Sequence, residues 1–190
     1  MLPEALRAYV QAMAPLSDAD WALLAAIAVP AAYPKHGLLQ EPGRVCGAVA
    51  FITKGLFRLY HTDADGHEVN ARFAAEDQFI VDYHSFLSQR PARYACQALE
   101  PAEVLLLPYA GVQGLYQQSP AWDHFGRLMA EQVYRQVMER VEALQFLSPE
   151  QRYAQVLAGR PPWLARISQR QLASYLGVRP ESLSRIRRRR

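Results

Sequence analysis

The sequence predicts an α+β chain in three parts: two short helices leading into a run of β-strands, one long amphipathic helix, and a C-terminal helix-turn-helix. Three observations carry that prediction. Between Ala31 and about Pro108 short β-prone runs alternate with turn residues. From Pro120 to Leu147 apolar residues recur every four positions. From Ser168 to Arg190 a helix cap, a glycine and a proline fall where two helices joined by a tight turn need them.

Residues 4–13 and 18–28 read as the two short helices. Ser17 or Asp18 would cap the second, with Trp21, Leu24 and Ile27 or Ala28 at helical spacing. The β-prone runs are Tyr33–His36, Gly47–Thr53, Leu56–His61, Glu68–Phe73, Tyr94–Leu99 and Ala102–Leu107. They are broken by Glu41-Pro-Gly43, Lys54-Gly55 and Asp63-Ala-Asp-Gly66, the last reading as the four-residue loop of a hairpin. Short strands at this spacing imply an antiparallel sandwich or barrel.

In the long segment Phe125, Met129, Val133, Val137 and Val141 form the stripe, extended by Trp122 and Leu144. Arg127, Glu131, Arg135, Glu139 and Glu142 occupy its flanks. This is one helix of about seven turns, roughly 40 Å long. Such a length outruns what a small β-domain covers. The stripe is therefore expected to pack against a second copy as a homodimer; packing wholly within its own chain is the alternative. Ser148-Pro-Glu150 then opens another helix, with Tyr153, Val156 and Leu157 on it.

Ser168-Gln-Arg-Gln171 has the form of a capping box. Leu172, Ala173 and Leu176 share one face, and Gly177 suits a turn that requires positive φ. Pro180 sits where a second helix takes its first residue, and Leu183 and Ile186 give that helix its buried stripe. Ala173, Gly177 and Leu183 keep the spacing of helix-turn-helices that lay their second helix in the major groove of DNA. An ordinary helical hairpin is the competing reading.

Charge argues in the same direction. From Arg160 to Arg190 there are nine arginines and one acid, Glu181, a net of +8, whereas the other residues carry −5. A total of +3 thus hides a polarised molecule whose basic end fits a polyanion. Taken alone, Arg187 to Arg190 read equally as a solvated tail or as phosphate contacts.

With 190 residues and 51% apolar content the chain supports a substantial core. Two cysteines, Cys46 and Cys96, are too few for a disulfide framework or a one-chain iron–sulfur cluster and fit a reduced, cytoplasmic protein. The first residues lack the features of a signal peptide. The longest apolar run, Trp21 to Ala32, has 12 residues and contains Pro30, so no membrane span is expected.

The order of sandwich, long helix and helix-turn-helix resembles the Crp/Fnr family of bacterial transcription regulators over nearly the whole chain. Gly37-Leu-Leu-Gln-Glu-Pro-Gly43, Phe51-Ile-Thr-Lys-Gly-Leu-Phe-Arg-Leu-Tyr60 and Asp65-Gly-His-Glu-Val69 look like successive strands and turns of its β-roll. Most specific is Ala173-Ser-Tyr-Leu-Gly-Val-Arg-Pro-Glu-Ser-Leu-Ser-Arg-Ile-Arg187, similar to the family's last two helices. The resemblance implies an antiparallel β-roll of double-stranded β-helix type with its N-terminal helices at 1–115. It also implies a dimerisation helix at 116–147 and a DNA-binding domain at 148–190, although the hairpin wing that many members carry after the recognition helix is not expected here.

For function the resemblance implies a homodimeric DNA-binding regulator, with double-stranded DNA and RNA polymerase as partners and no enzymatic activity. Glu181 and Arg185 align with its base-contacting positions, where a carboxylate accepts from cytosine and a guanidinium forks to guanine. Pro180 falls where many members carry another arginine. Arg179, Ser182, Ser168 and Gln169 are the expected phosphate partners, joined by Arg188 and Arg189 of the tail. Members that bind cyclic AMP hold it with a Gly-Glu-Leu run and an arginine followed by small residues. Here Asp82 stands in for the ribose-binding acid and Arg93 for the phosphate partner. Val81, however, replaces the glycine, and Tyr94 puts a ring where backbone should close on the ligand. Val81, Asp82, Arg93 and Tyr94 are thus the expected effector pocket, unsuited to cyclic AMP, and no cofactor is expected.

Two other classes compete. One is a small-molecule-binding β-barrel whose basic tail is only an interaction surface. The other is a metalloenzyme on a cupin-type barrel, but His36, His61, His67, His84 and His124 include no His-x-His pair, and no metal is expected. No phosphate loop, nucleophile elbow or catalytic acid pair is present either.

Overall fold

The computed structural model describes residues 2–159 and 161–188. Helices α1 (Glu4–Gln11) and α2 (Asp18–Ile27) come first. Ser17 caps α2 reciprocally: its hydroxyl accepts from the Asp20 N–H, and the Asp20 carboxylate accepts from the Ser17 N–H at 2.9 Å. Eight strands follow, namely β1 (Val29–Tyr33), β2 (Leu38–Gln40), β3 (Ala48–Lys54), β4 (Phe57–Thr62), β5 (Glu68–Ala74), β6 (Phe79–Ile80), β7 (Ala95–Ala98) and β8 (Ala102–Pro108). They build two four-stranded antiparallel sheets in the orders β1-β8-β3-β6 and β2-β7-β4-β5, a jelly-roll.

The first strand was expected at Tyr33–His36 and lies at Val29–Tyr33, before a turn in which His36 takes φ 70°. Pro30 lacks a donor, which argues against a strand there. Because β1 is the edge of its sheet, that donor is not needed. The short β2 and β6, and helix α3 (Tyr83–Ser88) after β6, were not anticipated as elements.

Each sheet has two packed faces, which divides the apolar residues among three clusters. Inside the roll, Ile52, Phe57, Leu59, Ile80, Cys96 and Val104 fill the space between the sheets. On the outer face of the first sheet, Phe51, Phe79 and Leu107 pack under α1, α2 and α4 (Tyr109–Gln118), with Trp122 and Phe125 of the long helix. On the outer face of the second sheet, Leu56, Phe73 and Ala75 join Tyr153, Trp163, Leu172, Leu176, Leu183 and Ile186 from the C-terminal helices. The last cluster belongs equally to the roll and to the C-terminal head.

The long helix α5 runs from Pro120 to Phe146, 27 residues. Ser119 ends α4 and caps α5, accepting from the Trp122 N–H, and its hydroxyl donates to Asp20 at 2.5 Å. The break between roll and long helix therefore stands at Ser119, and a division at 115/116 falls inside α4. The head consists of α6 (Pro149–Gly159), α7 (Gln169–Leu176) and α8 (Pro180–Arg188). Arg152 ties it to α5: its guanidinium donates to the carbonyls of Leu147 at 2.6 Å and Leu176 at 2.9 Å, at the ends of α5 and α7.

Strand β5 carries a bulge at Ala71, since Leu59 pairs with Arg72 while Tyr60 pairs with Asn70. Asn70 and Phe73 are thereby both turned to the head. The Asn70 N–H donates to Ser174 Oγ at 2.9 Å, and the Phe73 ring lies 5.0 Å from Trp163 and 5.6 Å from Tyr175. Arg166 completes the joint with ion pairs to Glu76 at 2.6 Å and to Glu100.

Candidate functional site

The helix-turn-helix forms where its local signals lie. Ser168 caps α7 with the reciprocal Gln171 bond at 2.8 Å, and Gly177 ends the helix at φ 67°. Leu172, Ala173 and Leu176 of α7 meet Leu183 and Ile186 of α8 in the buried core. Burying Leu183 and Ile186 turns the opposite face of α8 outward. Glu181, Arg185 and Arg188, spaced i, i+4, i+7, are all exposed there, Ser182 is half-buried, and Arg179 is exposed just before the helix. Ser168 and Gln169 are exposed at the start of α7, the Ser168 oxygen already accepting from the Gln171 N–H. Arg189 lies outside the described residues.

The apolar stripe of α5 does not have one environment. Phe125, expected at a dimer interface, is 7% exposed and already covered by its own chain, its ring 5.5 Å from Trp122 and 6.4 Å from Phe79. Met129 and Val133 are half-buried, and the Tyr9 hydroxyl reaches the Met129 sulfur at 3.6 Å. Beyond them Val137 is 54% exposed and Val141 37%, beside Tyr134 at 66% and Leu144 at 45%. Tyr134, Val137, Val141 and Leu144 alternate by three and four, the spacing of a coiled-coil seam. Counting only every fourth residue missed Tyr134 and drew in Phe125.

The four expected pocket residues do not converge. Val81 is buried, whereas the Asp82 carboxylate caps α3 by accepting from the Ser85 N–H at 3.2 Å. Arg93 is exposed, with no ion pair among the described residues, and so does not meet Asp82. The Tyr94 ring stands edge-on to His61 at 5.6 Å. A cavity of about 80 Å³ shares only Val81 with that set and lies between the edge strands β5 and β6, α1 and α5. Phe79, Val81, Phe125 and Met129 supply apolar wall, and Arg72, Tyr9 and Gln132 supply polar groups. Nothing in the sequence marked Arg72, one arginine among 19.

Asp63, Asp65 and His67 bring their ligand atoms together in the β4–β5 turn, all exposed. An Asp63 oxygen already accepts the N–H groups of Asp65 and His67 at 3.0 and 2.8 Å, which accounts for the cluster as turn chemistry. Cys46 and Cys96 are buried and free, and burial raises both thiol pKa values, which fits small core residues. Glu76, in the head joint, is held at about 2 by its bonds with Arg166, whose own pKa is raised in turn.

Residues 30–119 match the family model of the cyclic nucleotide-binding domain. No curated protein sequence matches the chain. Among solved structures, FixK2 from Bradyrhizobium japonicum is similar with a TM-score of 0.75 and 18% identity, covering 86% of this chain and 84% of that one. The catabolite activator protein of Thermus thermophilus gives 0.61 and 19%, covering 95% and 85%. A Eubacterium rectale protein assigned to transcriptional regulators of the Crp/Fnr family gives 0.71 and 14%, covering 92% and 83%. The fold expected from the resemblance is the fold observed, and these neighbours include regulators rather than enzymes. Among the described residues no helix is long and apolar enough to cross a membrane.

Proposed function

We propose that this chain, which has the architecture of Crp/Fnr regulators and a cyclic nucleotide-binding domain at residues 30–119, is a homodimeric, sequence-specific DNA-binding transcription regulator of the cytoplasm. One observation carries the reading. The face of α8 opposite Leu183 and Ile186 exposes Glu181, Arg185 and Arg188 in the segment that holds a net +8. Glu181 accepts from a cytosine amine and Arg185 forks to guanine, while Arg179, Ser182 and the start of α7 hold phosphates and fix the register. A second copy docked along Tyr134, Val137, Val141 and Leu144 supplies a second α8, so the dimer reads two half-sites.

Cyclic AMP is not the effector. Val81 occupies the glycine position, Asp82 is committed to α3, Arg93 stands in solvent and the roll interior is filled by its own side chains. Calorimetry with cyclic AMP should give no saturable heat; binding tighter than about 100 μM, some −5.5 kcal/mol, would overturn that part.

The test of the main reading is selection of genomic DNA by the purified protein, followed by Arg185→Ala on the selected site. Losing that fork should cost about 1–3 kcal/mol and relax one base position. Equal weakening on specific and random DNA would show that Arg185 does not read a base.

A further inference from the structure

Among the described residues the half-buried Arg72 is the one charged lining group of the cavity between β5, β6, α1 and α5. Its guanidinium donates to the Phe79 carbonyl at 3.1 Å, and among the described residues no carboxylate lies within ion-pair distance of it. Burial lowers its pKa, which reflects the cost of holding the charge there. A carbonyl offers one acceptor to a group with five donors. The buried acid of this region, Asp82, is already the cap of α3. A cation thus faces a mostly apolar chamber without a counter-charge, an arrangement that an incoming anion would complete.

Charge and size narrow the anion. One guanidinium balances one negative charge, and its planar fork matches a carboxylate; a phosphate dianion would bring an unbalanced charge to the same wall. The cavity is about 80 Å³, roughly half the size of one that takes benzene. We propose that this cavity binds a short-chain organic monocarboxylate, with its carboxylate forked by Arg72 and its tail among Phe79, Val81, Phe125 and Met129. This rests on the reading of the roll as the sensor half of a regulator. It replaces Arg93 with Arg72 as the residue that holds the effector. Tyr9 and Gln132, whose side chains meet at 3.4 Å, border the same space, so the ligand touches α1 and the long helix as well as the roll.

The test uses the full chain without DNA, so a failure of DNA recognition does not register in it. Acetate, propionate and butyrate are titrated by calorimetry and thermal melting, with propionamide as the uncharged match. At least one carboxylate should bind saturably and raise the Tm, and propionamide should not. Arg72→Met should weaken that binding about 10- to 100-fold, as expected for removing charged hydrogen bonds, while Arg93→Met leaves it unchanged. In the absence of ligand Arg72→Met should melt at or above the temperature of the unmodified protein, because a charge without a carboxylate is removed. A purely structural arginine would melt lower when replaced. No saturable binding by any of the three acids, equal binding of propionamide, or loss of binding in Arg93→Met but not in Arg72→Met would each overturn the proposal.

Discussion

The first half of α5 and the second half are one continuous helix with opposite relations to water. From Trp122 to Met129 the apolar face is held by the chain itself: Trp122 packs edge-on to Trp21 at 5.7 Å and its indole N–H donates to the Asp20 carbonyl at 2.9 Å. From Tyr134 to Leu144 the same kind of residue stands in solvent. The sequence pattern is nearly uniform along the helix, so pattern alone does not say which partner an apolar stripe meets. What decides is where the roll ends. The first half is a domain core, and the second is an exposed apolar face, the one on which the proposed dimer would pack.

The largest expected effect breaks the first half. Trp122→Ala should cost about 3–5 kcal/mol in urea unfolding, as for other buried tryptophans. Its refolded fraction should still associate, since the seam is untouched. Unchanged stability would mean that the first half is not a core.

Next comes the second half. Val137→Asp with Val141→Asp puts charges into the seam of a pair, and sedimentation at micromolar concentration should shift from dimer to monomer with the melting of the roll preserved. A monomer for the unmodified chain would remove the contrast altogether. Val133 is better left alone in this test, because it lines the Arg72 cavity.

The smallest effect sharpens the comparison, which needs the head to remain seated when the seam is opened. Glu76, ordinarily near 4.5, is held at about 2 by Arg166. A depressed carboxyl contributes stability that is full above about pH 4.5 and disappears as the pH falls through about 2. Glu76 is 37% exposed, so screening leaves its contribution at about 1 kcal/mol. Glu76→Gln should lower stability by that amount at pH 7 and flatten the acid limb of the melting curve between those values. An acid limb equal to that of the unmodified protein would assign the joint to its aromatic contacts.

The head was the most legible region. Ser168, Gly177 and Pro180 act through their immediate neighbours, so their meaning survives without the rest of the chain. The sheet was legible as a set of strands. Its first member was misplaced because Pro30 is tolerated only on an edge, and edge position is a property of the whole sheet. The effector pocket was not legible. Arg93 was expected to hold the effector but is exposed to water, and Asp82 was taken up by a helix the sequence did not announce. Arg72 matters because a one-residue bulge separates its direction from that of Asn70 and because two edge strands meet beside it. Neither circumstance leaves a local mark.

The cluster shared by Leu56, Phe73 and Ala75 with the C-terminal helices has a consequence for how the chain can be divided. Residues 148–190 approach the size below which a domain rarely closes a core unaided, about 40 residues. Their inner wall is supplied by strands more than 70 positions earlier in the chain. Excised from the roll, the head would present Trp163, Tyr175 and Leu172 to water and lose the Ser174 bond to β5. Helix α8 is therefore not a transplantable module. It inherits its shape from a sheet that precedes it in the chain, so the C-terminal helices complete a surface that the roll has already laid down.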